Sequence, residues 1–253
     1  MKNSLSIAFA VLATCASAAT AQELTSAAPW ADSARREIEA ANLTADTTRF
    51  AAVRVLLERA LTAYPDDALL LHYQGYALYR EATLRMGRWN QDVGELLRAS
   101  QGSLEASAET HEMPETLALL SAVLGQRIGS NPIRAMTLGP RSGSVMDRAV
   151  ERGPDNPRVW LLRGIGAIFT PGMFGGGLDR AQRYLERAAS LFIEDSPAPP
   201  LPAWGRAEVY IWLGQVHARA GREAEAREAY IKALEIEPDN GWVRHELLPA
   251  LDR

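Results

Sequence analysis

Along most of this chain apolar residues recur every three or four positions, and nowhere do they alternate convincingly with polar ones. The longer period lays them on one stripe of an α-helix, whereas a half-buried strand needs a period of two. The pattern therefore predicts helices and no sheet. A first helix is expected over 30–41. A second, over 48–64, carries Phe50, Val53, Leu57 and Ala60 on one face, can be capped by Asp46 or Thr47, and is stopped by Pro65. Others follow over 92–108, from Pro114 through Leu117, Leu120 and Leu124, over 144–152, and around Ala181, Leu185 and Ala188. Three stretches break the rhythm: 86–90 belongs to an insertion, 129–143 (GSNPIRAMTLGPRSG) reads as a long irregular connection, and 169–177 (FTPGMFGGG) as a glycine-rich insertion. Residues 196–202 (SPAPPLP) read as a stiff linker.

The clearest unit spans 207–240. Tyr210 is followed by Leu213-Gly214 and His217, then by Ala226, Tyr230 and Pro238. Small residues at two of these places let two helices approach closely, large ones fill the seam, and Pro238 ends the second helix. This spacing resembles the tetratricopeptide repeat, with its W-x2-L-G-x2-Y, A-x3-F and P pattern over about 34 residues. Three weaker copies can be laid over the rest: Leu71-x2-Gln74-Gly75-x2-Leu78, Leu117-x2-Leu120-Ser121-x2-Leu124, and Trp160-x2-Arg163-Gly164-x2-Ala167. The resemblance implies an all-α fold, a right-handed superhelical solenoid of helix–turn–helix repeats with about ten or eleven helices. It would form one domain over 30–253, its hydrophobic end covered by a terminal helix over 242–251.

The beginning of the chain has a different character. Lys2 precedes an apolar stretch over 5–13, and Ala19-Thr20-Ala21 forms a cleavage signature before Gln22. Residues 1–21 read as a secretory signal peptide and 22–29 as a flexible tether, which places the protein in the periplasm or outside the cell. The apolar stretch is too short to span a membrane, so no transmembrane helix is expected after cleavage. Cys15, the only cysteine, follows Leu12-Ala13-Thr14 in a sequence resembling a lipoprotein box, an alternative that would anchor the chain to lipid. A formal charge of −4 argues against a nucleic-acid partner.

Chemistry is sparse. The four histidines, His72, His111, His217 and His245, form no i,i+4 pair and have no cysteine to join them once Cys15 is removed, so no metal site is expected. No Gly-x-Ser-x-Gly elbow is present, and no catalytic set or cofactor is assigned. The glycines of 172–177 lack the Lys-Ser/Thr of a phosphate loop and do not follow a strand. Asn156-Pro157-Arg158 together with Thr170-Pro171-x2-Phe174-Gly175-Gly176-Gly177 resembles a group of exported bacterial tetratricopeptide proteins, over roughly 131–192.

In repeats of this kind the first helices line a concave groove. The resemblance places His72, Tyr76, Tyr79 and Arg80 on that wall, then Leu161, Ile165, Ile168 and Phe169, then Ile211, Gln215, Ala218 and Arg219. The expected function is that of a non-enzymatic exported scaffold binding a peptide or protein partner of unknown identity, with His72, Tyr76, Tyr79, Arg80, Arg158, Gln215 and Arg219 as the candidate binding residues. The alternative is a small-ligand carrier whose pocket, under the 169–177 loop, is formed by Leu161, Ile165, Phe169, Met173 and Phe174.

Overall fold

The structure, a computed structural model, describes residues 27–89, 93–129 and 131–252. Among these residues eleven α-helices and no strand occur: α1 (27–44), α2 (Thr47–Ala63), α3 (Ala68–Trp89), α4 (Gly94–Thr110), α5 (Pro114–Ile128), α6 (Pro132–Arg152), α7 (Pro157–Phe169), α8 (Leu178–Phe192), α9 (Arg206–Arg219), α10 (Glu223–Ile236) and α11 (Leu248–Ala250). A 3-10 turn, Gly172–Phe174, lies between α7 and α8, and a π-helical turn, Val243–Leu247, leads into α11. The expected leader over 1–21 lies outside the described residues, as does most of the tether; residues 27–29 of that tether are already helical.

The helices pair as hairpins, α3 with α4, α5 with α6, α7 with α8 and α9 with α10, and the first helices stack α3 on α5, α5 on α7 and α7 on α9. This is the helical solenoid the repeat spacing implies. Its seams show why the glycines recur. A Cβ on Gly75 would lie 2.5 Å from Leu104 Cγ, one on Gly164 2.7 Å from Leu185 Cγ, and one on Gly214 2.2 Å from Tyr230 Cε1. In α5 the same place holds Ser121, whose hydroxyl lies 2.9 Å from the Ser142 carbonyl oxygen on α6 and donates to it. A hydrogen bond replaces close van der Waals approach, and the third repeat loses its sequence signature there.

Two expectations about connections are corrected. Residues 129–143 are not an irregular connection: α6 begins at Pro132 and runs through Gly139, Pro140 and Gly143 without a break. Asn131 caps it, its side chain accepting from the amides of Ile133 and Arg134, and Pro132 suits the first helical position. Pro140 removes one intrahelical donor, a loss that the exposed first half of α6 makes tolerable because water can serve the freed carbonyl. Residues 86–89, expected in an insertion, instead complete α3. At the other end Val243, Leu247, Leu248 and Leu251 pack on Ile211, Ala226, Tyr230 and Ala233, so the terminal segment covers the end of the stack.

Candidate functional site

The groove wall divides into two halves with opposite character. In the first half, the segment between α8 and α9 crosses the inner face of α3 and α7 and fills it. Tyr73 Oη donates to the Pro200 carbonyl at 2.5 Å, and Trp204 stacks on Tyr76 with ring centroids 5.0 Å apart. Arg158, with 1% of its surface exposed, forms a bidentate pair with Asp195, Nη1 to Oδ1 at 3.1 Å and Nη2 to Oδ2 at 2.7 Å. Its guanidinium also lies over the rings of Phe192 and Trp204, 5.7 and 5.9 Å from their centroids. Farther along, Arg80 donates to Glu208 at 2.8 Å and to Asn42 at 3.0 Å. The segment is a strap, held near its start by the Arg158–Asp195 pair and along its length by aromatic rings, with the Arg80–Glu208 pair securing the start of α9 just beyond it.

The strap overturns most of the first group of candidate binding residues. His72, Tyr76, Tyr79 and Arg158 are buried, and Arg80 is occupied, so these five do not form an accessible binding wall. The proline-rich sequence between α8 and α9 was legible as a stiff connection, but nothing in it said that it turns inward. Burial pushes the Tyr79 hydroxyl up to about 12, and that of Tyr76 higher still. His72 sits wholly inside the protein with its Nδ1 2.9 Å from Thr116 Oγ1, and burial, aided by the Arg158 charge, lowers its pKa to about 3. The imidazole is neutral at pH 7. Because its native pKa is depressed below the unfolded value of 6.5, the unfolded state takes up the proton first as pH falls. Stability should therefore decline from about pH 6.5 toward pH 3, with His72 contributing up to about 1.4 kcal/mol per pH unit. Urea midpoints measured across that range should show a shallower slope in His72→Gln; an identical slope would remove the assignment.

The second half of the groove is open. Phe169 at the end of α7 is 64% exposed and meets Trp212 of α9 edge to face at 5.9 Å; Trp212 in turn meets Trp242 edge to face at 6.3 Å. The three rings form a ladder across α7, α9 and the turn preceding α11. Arg219 lies over Phe169 at 5.2 Å, and Gln215 is half-buried on the same helix. Met173 and Phe174, 84% and 72% exposed, extend the apolar surface beyond Phe169. Trp212 and Trp242 were missed from sequence: Trp212 is two places past Tyr210, between the places expected to face inward, and Trp242 was assigned to the terminal cap.

The pocket expected under the glycine loop is also corrected. Leu161 and Ile165 belong to the core, whereas Phe169, Met173 and Phe174 face solvent, so the five do not enclose one space. The loop closes on its own backbone. Gly176 N donates to the Pro171 carbonyl and Gly177 N to that of Ala167, and a Cβ on Gly176 would fall 1.8 Å from the Thr170 carbonyl oxygen. A cavity of about 500 Å³ lies elsewhere, between the start of α3, the α4–α5 and α6–α7 turns, and the strap. Among the described residues no group of His, Cys, Asp and Glu is placed to hold a metal ion, and no helix is long and apolar enough to cross a membrane.

The class this architecture defines is a helical-repeat solenoid. Residues 207–240 match the tetratricopeptide repeat family. In structure the chain is similar to the HusA haemophore from Porphyromonas gingivalis, with a TM-score of 0.62 and 23% identity over 75% of this chain and 94% of that one. It is also similar to a thermophilic tetratricopeptide protein of Thermus thermophilus, TTC0263, with a TM-score of 0.57 and 22% identity over 87% of this chain and 100% of that one. At these identities the likeness is one of fold. No curated protein matches the sequence.

Proposed function

We propose that this protein is an exported, non-enzymatic tetratricopeptide scaffold that captures a peptide or protein partner on the open half of its groove. The observation that carries this reading is the aromatic ladder in which Phe169 and Trp242 stay exposed on either side of the half-buried Trp212, while the other half of the groove is filled by the chain itself. Aromatic residues and Arg dominate interface hot spots, and a soluble surface rarely leaves several large apolar side chains exposed side by side. Met173, Phe174, Gln215 and Arg219 would flank the anchor. The export signal at 1–21 directs the capture experiment to a crosslinked cell-envelope extract. Trp212→Ala and Phe169→Ala should each lower recovery of the dominant partner roughly 30-fold, the loss expected of a hot spot worth about 2 kcal/mol. Met136→Ala, on the exposed first half of α6, should leave recovery unchanged. Equal recovery by all variants would sink the assignment.

The cavity under the strap favours a second reading, a carrier of a small ligand. It replaces the pocket expected beneath the glycine loop.

A further inference from the structure

One end of α7 carries a knob and the other a hole. At the C-terminal end, the turn into α8 holds Met173 and Phe174 out in solvent. The backbone of this turn is fixed. Phe174 N and Gly176 N both donate to the Pro171 carbonyl, and Gly177 N donates to that of Ala167. Gly175 and Gly177 take φ of +91° and +104°, a region that favours glycine. The fold thus holds an apolar tip ready for contact, with little conformational freedom left to lose when it is covered.

The hole is the half-open cleft of about 500 Å³ at the start of α7. Across the 13 residues of α7 it stands about 20 Å from the tip. The α4–α5 turn, the α6–α7 turn and the strap all join one hairpin to the next, so the cleft they bound lies on one edge of the stack. The Met173–Phe174 turn lies within a hairpin, and therefore on the opposite edge. Met113, Pro157, Leu201 and Pro202 give the cleft apolar walls. Glu115, Asp155 and Asp195 bring three negative charges to its lining, against the one positive charge of Arg158. Beside the tip stands a positive charge: a Cβ on Gly175 would lie 3.3 Å from Arg180 Nη1. Arg180 is exposed and forms no ion pair among the described residues.

We propose that the Met173–Phe174 turn of one copy of this chain seats in the cleft of a second copy, with Arg180 facing the carboxylates of the cleft. Knob and hole lie on opposite edges of the same stack, so the contact is head to tail, and each copy added leaves a free knob and a free cleft. Two side chains make a small contact, so association is weak and depends on concentration. It needs no other protein, and so stands or falls separately from partner capture on the aromatic ladder. Sedimentation velocity of the purified full chain should show species that grow past the dimer as concentration rises. Phe174→Asp, which sets a carboxylate against those of the cleft, should weaken self-association at least about 30-fold. Leu201→Arg, which crowds the exposed wall of the cleft and repels Arg180, should weaken it as much. Both side chains lie outside the core, so both variants should fold. Met136→Ala should leave the association unchanged. Mixed in equal amounts, the two deficient variants should form a dimer and nothing larger, because one intact knob and one intact cleft remain between them. A mixture that stays monomeric or grows past the dimer would overturn the proposal, as would association that neither variant weakens. A full chain that stays monomeric at every concentration would overturn it too, and leave the cleft to the carrier reading.

Discussion

Replacing Arg158 by Ala is expected to destabilise the fold by about 3–5 kcal/mol, the loss found when one partner of a buried ion pair is removed. The arginine is enclosed, bonded twice to Asp195, and stacked between Phe192 and Trp204. Truncation leaves the Asp195 carboxylate beside an apolar hole and frees two rings that the guanidinium holds apart. Asp195→Ala leaves the enclosed Arg158 guanidinium without its carboxylate, whereas Asp195 itself keeps some access to water, so Asp195→Ala should cost at least as much. The double variant should be less destabilised than the sum of the two, because the second truncation removes a charge already orphaned by the first. Urea unfolding of the four proteins measures this directly; additive effects, or a loss from Arg158→Ala below about 1 kcal/mol, would show that the pair does not hold the strap.

The second large effect lies in the strongest repeat. Gly214→Ala gains about 1 kcal/mol of helix propensity yet should still destabilise, because the new methyl would fall 2.2 Å from the Tyr230 ring. Tyr230 is enclosed by Ile211, Ala226, Ala233 and Val243 and cannot swing aside. The helices must separate, a cost of about 1–3 kcal/mol for overpacking, before the propensity gain is subtracted. Gly102→Ala in α4 is the control. Nothing stands within 4 Å of its Cβ, so the same substitution there should stabilise. If both variants shift the thermal midpoint upward, the glycine at the seam is not a packing requirement.

These seams are also where the sequence was most readable. Gly75, Gly164 and Gly214 each stand where a hairpin closes, at the same place in the first-helix spacing, which a linear pattern records. The large residue each one meets, Leu104, Leu185 or Tyr230, comes at a different distance along the chain. Ser121 kept the position but changed the means, so the third hairpin was faint. The first half of α6 was illegible for a different reason. Its glycines and Pro140 carry the local preferences of a loop, and only Asn131 and Pro132 announced a helix start. The groove failed at a longer range. Tyr76 and Tyr79 occupy the positions expected of an inner wall, but whether such a wall meets a partner or the chain's own residues depends on a segment far along the chain. Periodicity does not encode that pairing. The open half suffered less: Phe169, Gln215 and Arg219 remain at the surface near where the repeat pattern put them, and the two tryptophans beside them were missed because one lies between the expected inward places and the other beyond the last repeat.

A stack of repeats ordinarily behaves as a one-dimensional array in which each unit feels only its neighbours, and its ends can fray while the middle stays folded. The strap breaks that rule. Tyr73 to Pro200 and Arg80 to Glu208 join positions 127 and 128 residues apart, tying the first repeats to the last without passing through those between. Melting either end alone must release these ties, so the energy of each repeat is shared with units it does not touch. The chain is a spring with its coils laced together, and it will tend to come apart as one cooperative body.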